Sequence, residues 1–386
     1  MLFTLGHIKN ILFPNRNYSV SAVMRLGIFL NFFMPSVLFQ VAFFLKQSRF
    51  LFEHKRSCEF LKVVILWLCN KKMSQGNKMK KVYLKICRVL IVLLLVVAGV
   101  VGVGVFYKYQ QSEEMHIFMI CNEEYAPFTA ASIYSIEKNK DFLSKIKYHI
   151  AIVDDIKRTK EYFNAFDQNK IEFIDVPKFF KDKYDKQLVN AYNTRLLVAE
   201  IFPSMDKILY LDSDILVFKD LSKLYHTDLN DNYAGVVGDV KEAVALRTPV
   251  LGTKAYFNAG VILFNLKQMR QEGVTQKLIQ TYQSLDAEKK LIWPDQDVLN
   301  VVFENKVLFL PQTYNSQWSM VEENKEFHIL HYTGYKPWLE TKLPYVFKYW
   351  ETLYSVSKEN YQKTVDKSVF PALYKHNITR LKKVFD

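Results

Sequence analysis

The sequence predicts an open, three-layer α/β domain beginning near residue 116, preceded by a segment of different character. That class follows from three features. From residue 116 to 214, short apolar runs alternate with runs of helical spacing, the order of β-α-β units with parallel strands. Within this stretch "KILYLDSDILVF" (207–218) is an apolar strand that carries Asp212 and Asp214 in its middle. The charge is also split. Residues 1–108 hold 16 Lys and Arg against two acids, Glu53 and Glu59, whereas residues 109–386 hold 36 against 37.

In order, "HIFMIC" (116–121) reads as a first strand. "APFTAASIYSIEKN" (126–139) is a helix with apolar positions at Ala131, Ile133 and Ile136. "KYHIAIVDD" (147–155) is a second strand, "KRTKEYFNAFDQ" (157–168) a helix and "KIEFIDV" (170–176) a third strand. "YNTRLLVAEIFP" (192–203) is a helix closed by Pro203, and "KILYLDSD" a fourth strand. No repeat of 20–50 residues occurs. Neither G-x-G-x-x-G nor G-x-x-x-x-G-K-[ST] is present, which argues against a dinucleotide Rossmann site or a P-loop.

The net charge of +13 belongs entirely to the N-terminal segment. The remainder has no basic field, which argues against a nucleic-acid partner. Cys58, Cys69, Cys87 and Cys121 form no C-x-x-C pair, so neither a disulfide framework nor a zinc-thiolate site is suggested. "VLIVLLLVVAGVVGVGVFY" (89–107) is an uncharged run of 19 residues, close to the about 20 that cross a bilayer as a helix. It lacks an A-x-A cleavage site and reads as a retained transmembrane anchor. The basic flank at 71–88 places the N-terminal side in the cytoplasm and the following domain across the membrane. The apolar run at 26–45 is broken by Asn31, Pro35 and Gln40, and 63–69 is too short to span. Translation starting at Met79 or Met73 would leave a short basic flank before the anchor. The expected division is 1–78, an apolar and basic segment; 79–108, flank and anchor; 109–354, a catalytic domain; and 355–386, a basic tail.

Asp212 and Asp214, two apart in an extended chain, share a face. Two like charges there are costly unless a cation neutralises them. A divalent metal at the carboxyl end of a central strand would do so; a strand-end turn with one capping acid is the plainer alternative. "YFNAGVILFNL" (256–266) places a small Asn-Ala-Gly corner at the opening of an apolar strand. "WPDQDVLNVVF" (293–303) puts Asp295, Gln296 and Asp297 at a helix start, where N-capping alone would also account for acids. "ILHYTGYKPW" (329–338) brings together His331, a Gly turn and Lys336. His331 closing on the two acids, with Lys336 adding positive charge, would suit a diphosphate leaving group.

Six motifs in order, "CNEEYAPFTAASIYSI", "YNTRLLVAEIFP", "KILYLDSDILV", "YFNAGVILFNL", "PDQDVLN" and "HYTGYKPW", resemble glycosyltransferase family 8. These are retaining nucleotide-sugar transferases, among them bacterial lipopolysaccharide glucosyl- and galactosyltransferases and glycogenin. The resemblance spans residues 116–354. It implies a GT-A fold, a Rossmann-like mixed sheet flanked by helices, and a hexosyltransferase that uses a UDP-sugar and Mn²⁺, or Mg²⁺ in its place. By motif, Asp212, Asp214 and His331 would bind the metal. Cys121, Asn122, Tyr125, Arg195, Asp212, Gly334 and Lys336 would contact the nucleotide, with Tyr125 stacking on uracil and Gly334 and Lys336 at the diphosphate. Arg195, Asn258, Asp295 and Gln296 would contact the donor sugar, with Gln296 and Asp295 catalytic. Whether Gln296 is a nucleophile or the reaction proceeds on one face is left open. Two departures stand out: Asn122 and Glu124 replace the family's usual Asp and Asn, and only Tyr335 separates Gly334 from Lys336 where two residues are usual.

The expected function is a membrane-anchored, metal-dependent transfer of glucose or galactose from a UDP-sugar to a glycan or glycolipid such as lipopolysaccharide. A degenerate, UDP-binding membrane module without turnover is the alternative. An aspartyl-phosphate phosphatase would want its D-x-D on the first strand, not the fourth. The charge rule puts the domain across the membrane, which suits a Golgi type II arrangement in a eukaryote. In a bacterium UDP-sugars are cytoplasmic, so donor supply takes precedence over the charge rule and the expected location is the bacterial inner membrane with the domain on the cytoplasmic face.

Overall fold

The computed structural model describes residues 112–356 except 182, 185, 186, 322–325, 339 and 341. The expected anchor at 89–107, everything before it and the tail beyond 356 lie outside the described residues. Among the described residues no helix is long and apolar enough to cross a membrane.

Seven strands form the main sheet: β1 (Glu114–Cys121), β2 (Lys145–Ile152), β3 (Ile171–Asp175), β4 (Lys207–Leu211), β6 (Ala234–Gly238), β7 (Phe257–Asn265) and β8 (Val307–Phe309), in the order β3-β2-β1-β4-β7-β6-β8. The first four are mutually parallel, as the alternation predicts. β7 runs antiparallel to both β4 and β6, so the sheet is mixed. A second sheet, β5-β10-β9, joins β5 (Ile215–Val217), β10 (Ile329–His331) and β9 (Ser316–Gln317). Five helices among the described residues reach nine residues: α1 (Ala126–Asn139), α2 (Lys241–Leu251), α3 (Val274–Ala287), α4 (Pro294–Val302) and α5 (Val346–Val356).

Both faces of the main sheet are covered, which is why its strands read as unbroken apolar runs. Phe118, Ile208, Tyr210, Ile262 and Phe264 pack toward Leu278, Val298 and Leu299 of α3 and α4. Their alternating neighbours Ile117, Met119, Leu209, Val261 and Leu263 pack toward Ala130 and Ile133 of α1. A third apolar cluster gathers Phe128, Leu216, Tyr332 and Trp338 around Tyr349, Trp350 and Leu353 of α5.

Two expected helices are shorter than their spacing suggests. The 157–168 helix is one turn, Ile156–Lys160, and a 3-10 turn, Glu161–Phe163. Asp155 caps the first from Oδ1, and Asp167 starts a separate 3-10 turn by accepting from Asn169 N–H. Such short acids compete with the helix for backbone donors. The 192–203 helix is a 3-10 segment, Asn193–Leu197, running into Val198–Ile201; all five residues of the 3-10 segment are buried, Arg195 among them.

α1 has a polar stripe as well as an apolar one. Thr129, Ser132, Ser135 and Asn139 lie three, three and four residues apart, on one helix face. Thr129 Oγ1 meets Ser213 Oγ at 2.7 Å. The Ser132 hydroxyl is shared between the carbonyls of Ser213 and Ile215 at 2.7 and 2.9 Å. Ser135 Oγ accepts from Val217 N–H, and Asn139 Nδ2 donates to the Val217 carbonyl, both at 2.9 Å. β5 is an edge strand, and this ladder of side chains takes the place of a neighbouring strand. It also fixes the turn that carries Asp212 and Asp214. Ser132→Ala removes the donor for two buried carbonyls and is expected to cost about 1–3 kcal/mol. At about 2–4 °C per kcal/mol for a domain of this size, a thermal melt reads the loss directly.

Candidate active site

β4 ends at Leu211 and β5 begins at Ile215, so Asp212–Asp214 is a turn rather than the middle of one strand. The expected face-sharing by strand alternation is therefore corrected. The two acids converge because the turn is held at both ends. Asp212 N–H donates to the Gly260 carbonyl at 2.9 Å, and the Asp214 carbonyl accepts from Tyr332 N–H at 3.0 Å. The location, past the carboxyl end of a central strand, is the one that open α/β sheets give their ligands.

His331, at the end of β10, completes a cluster whose ligand atoms all lie within 4.8 Å of one another. Its Nε2 is 3.6 Å from Asp212 Oδ2 and 3.3 Å from Asp214 Oδ1. Asp212 turns its other oxygen away: Oδ1 accepts from Arg195 Nη2 at 3.0 Å and Tyr210 O–H at 2.5 Å. Two carboxylates and one imidazole suit a hard or borderline divalent cation. Gly260 supplies the space. A Cβ there would stand 2.1 Å from His331 Cε1 and 2.8 Å from Asp212 Oδ2. The residues present thus fit a metal.

Lys336 Nζ bonds Asp214 Oδ2 and reaches the Tyr332 carbonyl at 3.3 Å. Burial works to raise the Asp214 carboxyl, but Lys336 and His331 outweigh it and hold Asp214 below the ordinary carboxylate range. Burial likewise opposes the Lys336 ammonium, yet Asp214 holds its pKa above the usual lysine value. Gly334, two residues earlier, has φ +72°, the left-handed conformation glycine adopts without cost.

Arg195 joins this cluster to the start of α4. Nε pairs with Asp295 Oδ2 at 2.9 Å, Nη2 with Asp212 Oδ1, and Nη1 donates to the Ala259 carbonyl at 2.7 Å. Burial raises the Asp295 carboxyl above its ordinary value against the pull of Arg195. Gln296 is held in one orientation: Oε1 accepts from Ala259 N–H, and Nε2 donates to Asp239 Oδ2, both at 2.9 Å. Asn258 Oδ1 accepts from Gly260 N–H at 3.0 Å.

These contacts share an origin in β7. The β6–β7 pairing steps from Val236↔Ile262 to Val237↔Asn258, so residues 259–261 have no β6 partner. Such bulges free backbone groups beside active sites. Gln296, Asn258, Arg195 and Asp212 take them up.

Of the residues expected at the nucleotide, Asn122 Oδ1 accepts from Tyr125 N–H at 2.9 Å. The half-buried Tyr125 ring stands edge-on to Phe128 and Trp338, which stack on each other at 3.5 Å. Cys121 is placed differently from the other expected nucleotide contacts. The residue is 1 % exposed, its side chain packs in the core and its carbonyl accepts from Val153 N–H.

Four site residues escaped the sequence reading as contributors. Asp239 closes the apolar run of β6 as Asp212 closes β4, a signal that was available. Asn315 lies in "PQTYNSQW" and has no periodic or motif mark. Arg247 and Asp297 form a fully buried bidentate pair at 2.9 and 2.8 Å, with Tyr256 O–H on Asp297 Oδ1 at 2.6 Å and the Ile292 and Trp293 N–H groups on Oδ2. Asp297, read as one of the acids at a helix start, is thus the anchor that holds Asp295 and Gln296 in place.

Residues 116–342 match the model of glycosyl transferase family 8, well over half of the chain. The chain belongs to glycosyltransferase family 8. It is 29 % identical over 300 residues to the lipopolysaccharide 1,2-glucosyltransferase of Escherichia coli, covering 70 % of this chain and 87 % of that protein. It is 29 % identical over 209 residues to the lipopolysaccharide 1,3-galactosyltransferase of Salmonella typhimurium strain LT2, covering 46 % and 62 %. Among solved structures it is similar to the galactosyltransferase LgtC in complex with donor and acceptor sugar analogues, at 22 % identity and a TM-score of 0.53, over 68 % of this chain and all of that one. The transferase therefore has a GT-A-like mixed sheet, as the motifs imply.

Two outcomes are expected. Gly260→Ala drives a methyl into His331 and Asp212 and should weaken binding of a divalent cation by about tenfold or more, with Mn²⁺ as the probe and free Mn²⁺ read by electron paramagnetic resonance. Burial pushes the Cys121 thiol up to about 12. At pH 8 its thiolate fraction is on the order of one in ten thousand, so iodoacetamide should leave Cys121 unmodified in the native enzyme and modify it in urea, read by peptide mass spectrometry.

Proposed function

We propose that this transferase moves a hexose, glucose or galactose, from a UDP-sugar to a glycan or glycolipid acceptor of the lipopolysaccharide type, with retention of anomeric configuration. The observation that carries the reading is the convergence of Asp212, Asp214 and His331, with Lys336 on one side and Arg195 leading to Asp295 and Gln296 on the other. The names of the bacterial relatives support the acceptor class and the two hexoses.

Asp212 Oδ2, Asp214 and His331 Nε2 would hold the cation, Mn²⁺ by the family's habit. When bound, it supplies Lewis-acid stabilisation of the charge that grows on a departing diphosphate. Lys336 stands where its ammonium can donate to a phosphate oxygen. Tyr125, braced by Phe128 and Trp338, offers an aromatic ring for the uracil. Asn258, Asp295 and Gln296 are fixed by backbone and by Arg195, so they meet the sugar without reorganising, the condition for electrostatic catalysis. The apolar run at 89–107 would tether the chain to the bacterial inner membrane, with the domain on the cytoplasmic face beside the UDP-sugar supply.

The test is UDP release by the purified full chain in detergent, across a panel of UDP-sugars, with Mn²⁺ and then with EDTA. Release is expected from UDP-glucose or UDP-galactose and lost with EDTA and in Asp214→Asn. UDP binding without turnover, even with lipopolysaccharide core acceptor added, would overturn the reading in favour of a binding module.

A further inference from the structure

Asn315 is completely buried, 0 % exposed, immediately before β9. Its backbone is tied to Gln312: Asn315 N–H donates to the Gln312 carbonyl, and Gln312 Nε2 donates to the Asn315 carbonyl, both at 3.1 Å. β9 pairs with β10, His331 standing opposite Gln317. The Asn315 side chain therefore lies beside the His331 ring.

A chain of three hydrogen bonds runs through it. Gly260 N–H meets Asn258 Oδ1 at 3.0 Å. Asn258 Oδ1 also meets Asn315 Nδ2 at 2.9 Å. Asn315 Oδ1 meets His331 Nδ1 at 2.9 Å. The order of atoms is dictated from one end. A backbone N–H can only donate, so the atom that Asn258 turns to Gly260 is its oxygen. That oxygen accepts again, so Asn315 must present its amide nitrogen to it. The opposite end of the Asn315 amide is then the oxygen, an acceptor only. Facing an acceptor, His331 Nδ1 carries its hydrogen. Nε2 is the ring atom left to ligate, and it is the one that points at Asp212 and Asp214.

We propose that Asn315 is the positioning residue of the metal site: through Asn258 and the Gly260 backbone it locks His331 in the Nδ1–H form and so assigns Nε2 to the cation. A metal-bound histidine commonly relies on such a partner for tautomer and ring orientation. Here the partner is itself oriented by Asn258, a residue expected at the donor sugar. The metal ligand and the sugar contact thus share one hydrogen-bonded line. The inference rests on the metal reading of the Asp212, Asp214 and His331 cluster.

The experiment is the Mn²⁺ dissociation constant of the full chain in detergent, by electron paramagnetic resonance, for wild type, Asp214→Asn, Asn315→Leu and Asn315→Asp, with melting temperatures recorded alongside. Asn315→Leu keeps the volume and loses the relay; Mn²⁺ binding should weaken about 10- to 100-fold. Asn315→Asp keeps an oxygen opposite Nδ1 and should recover most of that loss, even though it melts earlier for want of a donor to Asn258. Equal Mn²⁺ affinity in wild type and Asn315→Leu would overturn the proposal while leaving the metal site standing. Equal affinity in wild type and Asp214→Asn would overturn the metal reading and the proposal with it. Should Asn315→Leu fail to fold, the ¹⁵N spectrum of histidine-labelled wild type with Mg²⁺, assigned by its difference from His331→Asn, decides. A protonated Nδ1 supports the relay and a protonated Nε2 refutes it.

Discussion

The site depends on one irregularity: the slip between β6 and β7 that leaves residues 259–261 without a partner in β6. A buried strand cannot leave its amides and carbonyls unpaired, since each unsatisfied group costs about 1–3 kcal/mol. The groups that satisfy them are those of the site. Gln296 and Asn258 accept from the Ala259 and Gly260 N–H groups, while Arg195 and the Asp212 N–H donate to the two carbonyls. The bulge thus converts a backbone deficit into orientation for four functional residues from four parts of the chain. The cost of misplacing any of them is the cost of an orphaned backbone group, which keeps the constellation rigid without a ligand.

Much of this was legible. The alternation from residue 116 gave β1 to β4 in order, because parallel strands buried on both faces leave continuous apolar runs. The six motifs carried the family, and they named Asp212, Asp214 and His331, which the structure brings together from the turn after β4 and from β10. What could not be read was long-range. The antiparallel course of β7 leaves no local trace, since "GVILFNL" would look the same in either direction. The 3-10 geometry at Asn193–Leu197 answers to packing that carries Arg195 inside, and it overrides the helical spacing. Asn315 has an ordinary polar surrounding in sequence; only pairing of β9 with β10 sets it against His331. The polar stripe of α1 was visible as spacing at 129, 132, 135 and 139, yet small polar residues on a helix usually face water, and its meaning required knowing that β5 is an edge.

The tie between α2 and α4 belongs to the same logic at one remove. Arg247 and Asp297 are both buried, so neither can be charged cheaply alone. With Tyr256 and two backbone amides closing on Asp297, both of its oxygens are hydrogen-bonded, and the pair fixes the first turn of α4. Asp295 and Gln296 precede Asp297 in that turn. Their aim is therefore set by a neutralised ion pair together with β7 and Arg195.

The two cations of the site divide its work according to their chemistry. Arg195 is buried, and its planar fork meets Asp212, Asp295 and the Ala259 carbonyl in three fixed directions. It holds carboxylates apart in a set geometry, and to move it would break all three contacts at once. Lys336 is a point charge on a flexible stem, following the Gly334 turn, and among the described residues it holds Asp214 and reaches the Tyr332 carbonyl. Three carboxylates, Asp212, Asp214 and Asp295, thus face two protein cations, and the residual negative charge falls on the side where the oxygens converge with His331 Nε2. Asp212, Asp214 and His331 would hold a divalent cation there, whose charge would reverse the local sign and draw on the Asp214 carboxylate that Lys336 now holds. Lys336, on its flexible stem, is the cation whose contacts exchange at the smaller cost, while Arg195 keeps the carboxylates in place.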